Sequence, residues 1–220
     1  AMIKMARKYG VEKYGPKRYN IVTASMGFHG RTFGAMSATG QPDNGCQIGF
    51  GPMTDGFTYA EYNNLQAFKD ACTEDTIAIM VEPVQGEGGV IPLTEDFVCA
   101  IKNTAEKYNL LLIADEIQCG NGRSGKLCAY MNFDIQPDIV TSAKGLAAGL
   151  PLGVTLFGER VENVYIPGTH GSTFGGNPVC ASAALSVLSR IDDKLLNEIT
   201  EKSNYIVKEL KCSNGILEIT

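Results

Sequence analysis

The sequence predicts an α/β fold: a three-layer α/β/α sandwich built on a mainly parallel sheet. Three observations carry that expectation. Residues 76–81, 110–114 and 138–142 are short runs with apolar centres, bounded by polar or turn residues, which is how strands buried on both faces read. The stretch 95–108, between the first two, spaces its apolar residues as a helix does, and strand–helix–strand repeats imply parallel pairing through right-handed crossovers. Polar and glycine-rich motifs follow each apolar run directly, at the edge of a parallel sheet where ligands bind.

The other elements follow in order. The chain opens on a charged amphipathic stretch with no N-cap before Ala1-Met2-Ile3, so further residues are expected upstream. Residues 19–24 read as a strand and 30–38 as a short helix. Asn63-Asn64 offers a cap for a helix running to about Cys72, and Thr94 offers one for 95–108. Residues 152–157 form another strand. A long helix over 177–191 is entered through Asn177-Pro178, and an amphipathic helix spans 195–211. Asn214-Gly215 marks a turn into a strand over 216–220.

Composition narrows the function. The 220 residues, 44% hydrophobic and 20% charged, suffice for one substantial core or two modest ones. A net charge of −5 with scattered basic residues argues against nucleic acid or an anionic membrane as partner. With no apolar stretch of membrane-spanning length and no apolar signal-peptide centre at the N-terminus, no span is expected. Seven cysteines with no C-x-x-C pair and no His/Cys cluster read as free thiols in a reducing cytoplasm and supply no metal site. Only Cys119, in a loop at the sheet edge, invites a second reading.

The strand ends bring chemistry together. The run 76–81 leads into Glu82-Pro83-Val84-Gln85-Gly86-Glu87-Gly88-Gly89, the run 110–114 into Asp115-Glu116-Ile117-Gln118-Cys119-Gly120, and 138–142 into Ala143-Lys144-Gly145. A lysine at an apolar strand end is expected to be desolvated, which favours the neutral, nucleophilic amine that a Schiff base requires. Taken alone it reads better as a lysine whose stem lies on apolar surface with its head in water. Asp115, costly to bury unpaired, would suit a pyridinium nitrogen; alone it reads equally as a cap or an ion pair. Strand alternation points Asp115 and Ile117 one way and Glu116 and Gln118 the other, so the segment must bend if Gln118 is to join Asp115. In Phe28-His29-Gly30-Arg31-Thr32, Phe28 could stack on a flat ring and Arg31 could fork onto a carboxylate, though in isolation the motif reads better as a core phenylalanine and a solvated arginine. Thr169-His170-Gly171-Ser172-Thr173-Phe174-Gly175-Gly176-Asn177-Pro178, ahead of a helix, offers N–H groups and hydroxyls to an anion, or is a plain capped turn.

These five segments, in their order along the chain from Phe28 to Pro178, resemble the class III (fold-type I) aminotransferases, and most closely the acetylornithine/succinylornithine/ornithine aminotransferase group, over nearly the whole chain. The resemblance implies pyridoxal 5′-phosphate (PLP) as cofactor, Lys144 as its Schiff-base lysine and proton carrier, and Asp115 as partner of the pyridine nitrogen. It places Gln118 on the ring's O3′, Phe28 and Ile117 against the ring, and Ser172 and Thr173 at the phosphate of a partner subunit's cofactor, hence a homodimer with shared sites. Arg31 matches a grip on a substrate carboxylate, Glu87 a switch between two substrates, and Glu82 a structural residue. The implied reaction moves an amino group from N-acetylornithine, or an ornithine-like donor, to 2-oxoglutarate, a step of arginine biosynthesis or breakdown. 4-Aminobutyrate or another omega-amino acid is the alternative donor.

The resemblance also divides the chain into a PLP-binding large domain, 1–191, and the beginning of a small C-terminal domain, 192–220. The family's phosphate loop and second carboxylate-binding arginine have no counterpart here, so the chain is expected to be an internal fragment. Cys119 and Asn121 also depart from the family wording. The rival reading is a truncated, non-catalytic piece that folds and pairs with itself. A nucleotide-binding domain is a more distant rival, because Ser25-Met26-Gly27-Phe28-His29-Gly30 does not fit G-x-G-x-x-G.

Overall fold

The computed structural model describes residues 1–43 and 45–211. In it the three apolar runs become the centre of one six-stranded sheet. Its strands are β1 (Asn20–Ala24), β2 (Phe57–Ala60), β3 (Thr76–Val81), β6 (Leu111–Asp115), β7 (Ile139–Ser142) and β8 (Val154–Phe157), in the order β2-β1-β3-β6-β7-β8. All neighbours are parallel except β8, which runs antiparallel to β7 at one edge. A second, two-stranded hairpin pairs β4 (Val84–Gln85) with β5 (Ile91–Pro92).

Strand alternation divides the core into two. On β3, Ile79 and Val81 face one side with Val22 and Leu112, while Ala78 and Met80 face the other with Ile21 and Ile113. The first side is covered by α3 (Leu65–Ala71) and α4 (Glu95–Tyr108), which contribute Phe68, Phe97 and Ile101. Phe68 and Phe97 meet edge to face with ring centroids 4.8 Å apart. The second side is covered by α1 (Met2–Tyr14) through Met5, Ala6 and Tyr9. Helices on both faces of a mainly parallel sheet make the expected three-layer α/β/α sandwich.

Caps set the helix starts. The side chain of Asn64 accepts from Ala67 N and that of Thr94 from Phe97 N, so α3 and α4 begin where the polar signals placed them. Asn177 accepts from Val179 N and Cys180 N and opens α5 (Pro178–Leu188), with proline in its first turn. Asp192 caps α6 (Asp193–Leu210), none of whose described residues is fully buried.

Several boundaries move. The helix expected over 30–38 is α2 (Phe33–Ala38) alone, because Gly30 has φ 129° and Thr32 is extended. The strand expected over 110–114 ends one residue later, so Asp115 lies inside it. The long helix over 177–191 stops at Leu188. Edge strand β2 and the hairpin carry no strong apolar signal, and the sequence reading passes over them. The turn at Asn214-Gly215 and the strand over 216–220 lie outside the described residues. No helix among the described residues is long and apolar enough to cross a membrane.

Candidate functional site

Parallel pairing brings the carboxyl ends of β3, β6 and β7 to one edge. There Phe28, Asp115, Ile117, Gln118 and Lys144 line a narrow cleft of about 60 Å³, with His29 and Glu82 on its wall. Ile117, Gln118 and Lys144 also border a wider trough of about 720 Å³ that reaches Arg123 and α5, so the cleft opens onto room for a larger molecule.

Asp115 is its buried end, 3% exposed. One carboxylate oxygen lies 2.8 Å from Nδ1 of His29; the other accepts from the Thr141 hydroxyl (3.0 Å) and from the Ile117 N–H (3.2 Å). Of the partners the sequence leaves open for Asp115, a ring nitrogen or a cap or ion pair, the chain itself supplies an ion pair, with buried His29. Burial pushes His29 down, but the hydrogen bond and charge of Asp115, with the charge of Glu82, outweigh it and hold the imidazole above its usual 6.5. Glu82, buried beside them, accepts from Phe28 N at 2.8 Å and so fixes the backbone that carries Phe28 and His29. Its carboxyl is raised by burial, against the pull of the His29 charge and the Phe28 N–H. Nothing in the sequence alone gives His29 a role. Its signal was its setting: one of only two histidines, inside an aromatic–glycine motif.

Beyond Asp115 the chain bends, as it must for Gln118 to join the cleft. Glu116 turns the opposite way, fully buried, and its carboxylate accepts from Ala129 N (2.9 Å) and Tyr130 N (2.7 Å). Cys119 lies 3.3 Å from that carboxylate. Burial pushes its thiol far up, and the charges of Glu116 and Asp115 add to this, so Cys119 is a structural thiol and not a nucleophile. Asn121 ties the bend to β7: it donates to the Ala143 carbonyl at 3.0 Å and accepts from Ser142 at 3.2 Å.

Lys144 corrects the sequence expectation. It was expected to be desolvated at an apolar strand end, but it is exposed. β7 stops at Ser142, Ala143 swings away from strand geometry, and Lys144 sits at the rim with φ 50°, a left-handed conformation that a non-glycine residue adopts under strain. It begins a short 3-10 turn, Lys144–Ala147, whose Leu146 and Ala147 pack on Ala184 of α5. Its Nζ donates to Oε1 of Gln118.

The remaining sequence candidates lie off the cleft. Arg31 is exposed and places its guanidinium 5.5 Å above the Phe28 ring. Glu87 is exposed in the turn between β4 and β5, and Ser172 and Thr173 are exposed in the loop before α5.

The cleft's donor set fits a flat heteroaromatic group with a basic ring nitrogen and a carbonyl. It pairs a buried carboxylate with an exposed amine and adds an aromatic wall and a carboxamide between them. Nε2 of buried His29 has no hydrogen-bond partner among the described residues, which leaves polar capacity on the same wall.

Comparison with known proteins agrees. The Aminotransferase class-III family matches residues 1–215. The acetylornithine aminotransferase of Caldanaerobacter subterraneus subsp. tengcongensis is 44% identical over 95% of this chain and 53% of its own length. The succinylornithine transaminase of Photorhabdus laumondii subsp. laumondii is 40% identical over 100% of this chain and 54% of its own. Among solved structures, the ornithine aminotransferase of Toxoplasma gondii, crystallised with partial occupancy of PLP at its active site, superposes with a TM-score of 0.88 at 34% identity, over 100% of this chain and 54% of that one. The chain thus spans about half the length of the curated relatives it matches, and with its fold, its cleft and these likenesses in agreement it belongs to the class-III aminotransferase family.

Proposed function

We propose that this chain carries the PLP-binding part of an aminotransferase, in which Lys144 is the covalent attachment point and Asp115 the partner of the ring nitrogen. One observation carries this reading: the buried carboxylate of Asp115 and the exposed amine of Lys144 line a single cleft walled by Phe28. PLP, when bound, supplies an aldehyde for an amine and an electron sink for the bond that breaks.

The chain's residues do the rest. Asp115, held by His29 and Thr141, would face the ring nitrogen and favour its protonated form. Phe28 and Ile117 would flank the ring, and Gln118, which accepts from the Lys144 amine, would lie toward its O3′. With PLP bound, the Lys144 amine would take the proton from the substrate carbon that bears the free amine, the δ-carbon in N-acetylornithine, and hold it for return. Arg31 grips a substrate carboxylate, and Glu87 discriminates between the two substrates.

N-acetylornithine is the proposed donor, or an ornithine-like amine, with 2-oxoglutarate as acceptor; the names of the relatives support this. A homodimer is proposed because Ser172 and Thr173, the expected phosphate contacts, lie on an exposed loop, and neighbouring Phe174 (82%), Val179 (65%) and Leu185 (69%) are strongly exposed apolar residues. A cytoplasmic setting is proposed from the free cysteines.

The test is borohydride trapping of PLP on the purified chain, followed by peptide mapping. The label is expected on Lys144, with Lys144→Ala abolishing it. Lysine labelling spread without preference overturns the assignment. Loaded protein is then offered N-acetylornithine, ornithine and 4-aminobutyrate with 2-oxoglutarate; glutamate is expected fastest from the first, and the donor assignment fails if that is the slowest.

A further inference from the structure

Gly86 lies one residue past β4, in the turn that carries Glu87. Its φ is outside the left-handed region, so its backbone does not call for glycine. Space does. A Cβ at this position would fall within the carboxamide of Gln118 and 3.1 Å from its Cγ. That carboxamide is the group that accepts from the Lys144 amine. Gln118 therefore lies against the bare backbone of the hairpin while reaching Lys144.

Gly88, two residues on, differs. A Cβ there would meet the Met26 carbonyl oxygen at 2.9 Å and Gln85 Oε1 at 2.6 Å, so Gly88 serves the packing of the hairpin itself. At Gly86 the nearest atoms all belong to one flexible side chain. A methyl group there costs the fold little, because Gln118 can swing aside, but Gln118 then leaves Lys144.

We propose that Gly86 is a positioning residue: it is glycine so that Gln118 can lie flat on the hairpin and hold the Lys144 amine at the cleft. The proposal rests on the reading of Lys144 as the reacting amine.

The experiment measures how fast Lys144 is acylated by an amine-directed reagent, read by peptide mass spectrometry on the whole chain without cofactor. The proteins are the parent, Gly86→Ala, Gln118→Ala and the double variant. Gly86→Ala is expected to speed labelling about fivefold, the scale of one lost hydrogen bond. Gln118→Ala is expected to do the same, the double variant no more than Gln118→Ala alone, and thermal midpoints to stay at the parent value. The proposal is overturned if Gly86→Ala labels at the parent rate, or if it still changes the rate once Gln118 is alanine. Trapping of PLP on Lys144 in the parent tests the functional reading separately, so either result can fail alone.

Discussion

At the scale of single residues, the pair of Asp115 and His29 sets the character of the site. Both side chains are buried, and they meet at 2.8 Å. A buried carboxylate of this kind is tolerated because a cation, a hydroxyl and an N–H replace the water it gives up. His29 is raised above its usual 6.5, so its stabilising contribution is fully present below that pH and is lost as pH rises through the raised value. Removing one partner of a buried pair costs on the order of 3 kcal/mol. His29→Ala is therefore expected to lose about that much at about pH 6 and clearly less at about pH 9. Urea unfolding of parent and variant at both pH values checks it; a cost that grows with pH contradicts the assignment.

At the scale of elements, each segment of the site is held by a neighbour outside it. α5 backs the turn that begins with Lys144, Glu116 anchors the 129–132 turn, and Asn121 ties the bend after β6 to the end of β7. The cap of α4 lies outside these contacts: the Thr94 hydroxyl accepts from Phe97 N, and the Thr94 N–H donates to Asn63. Thr94→Ala should thus cost about 1 kcal/mol of stability through the lost cap, while Lys144 acylates at the parent rate. Chemical denaturation together with the labelling assay tests both halves. A change at Lys144 would mean that α4 is coupled to the site.

At the scale of the whole molecule, the sheet gathers three strand ends at one edge, and exposed apolar residues collect around the loop before α5. The proposed pairing would cover Phe174 and bring Ser172 and Thr173 to a second cleft. Sedimentation of the 23.6 kDa chain is expected to give twice that mass. Phe174→Asp is expected to shift it toward the single-chain mass without loss of helical signal. A parent that sediments as one chain at micromolar concentration rules the pairing out for this chain.

The sequence alone determined what depends on neighbours along the chain. Apolar runs became the buried strands, and Asn64, Thr94 and Asn177 capped the helices they precede, because a pleat or a first helical turn spans only a few residues. The motifs also singled out Asp115, Gln118 and Lys144, which the structure brings to one cleft. Only the tertiary structure decided that His29, 86 residues away in the chain, holds Asp115, that Lys144 stands exposed at the rim, and that the backbone of Gly86 makes room for Gln118. Those contacts join segments distant in sequence, and they exist only because parallel strands deliver their carboxyl ends to a common edge.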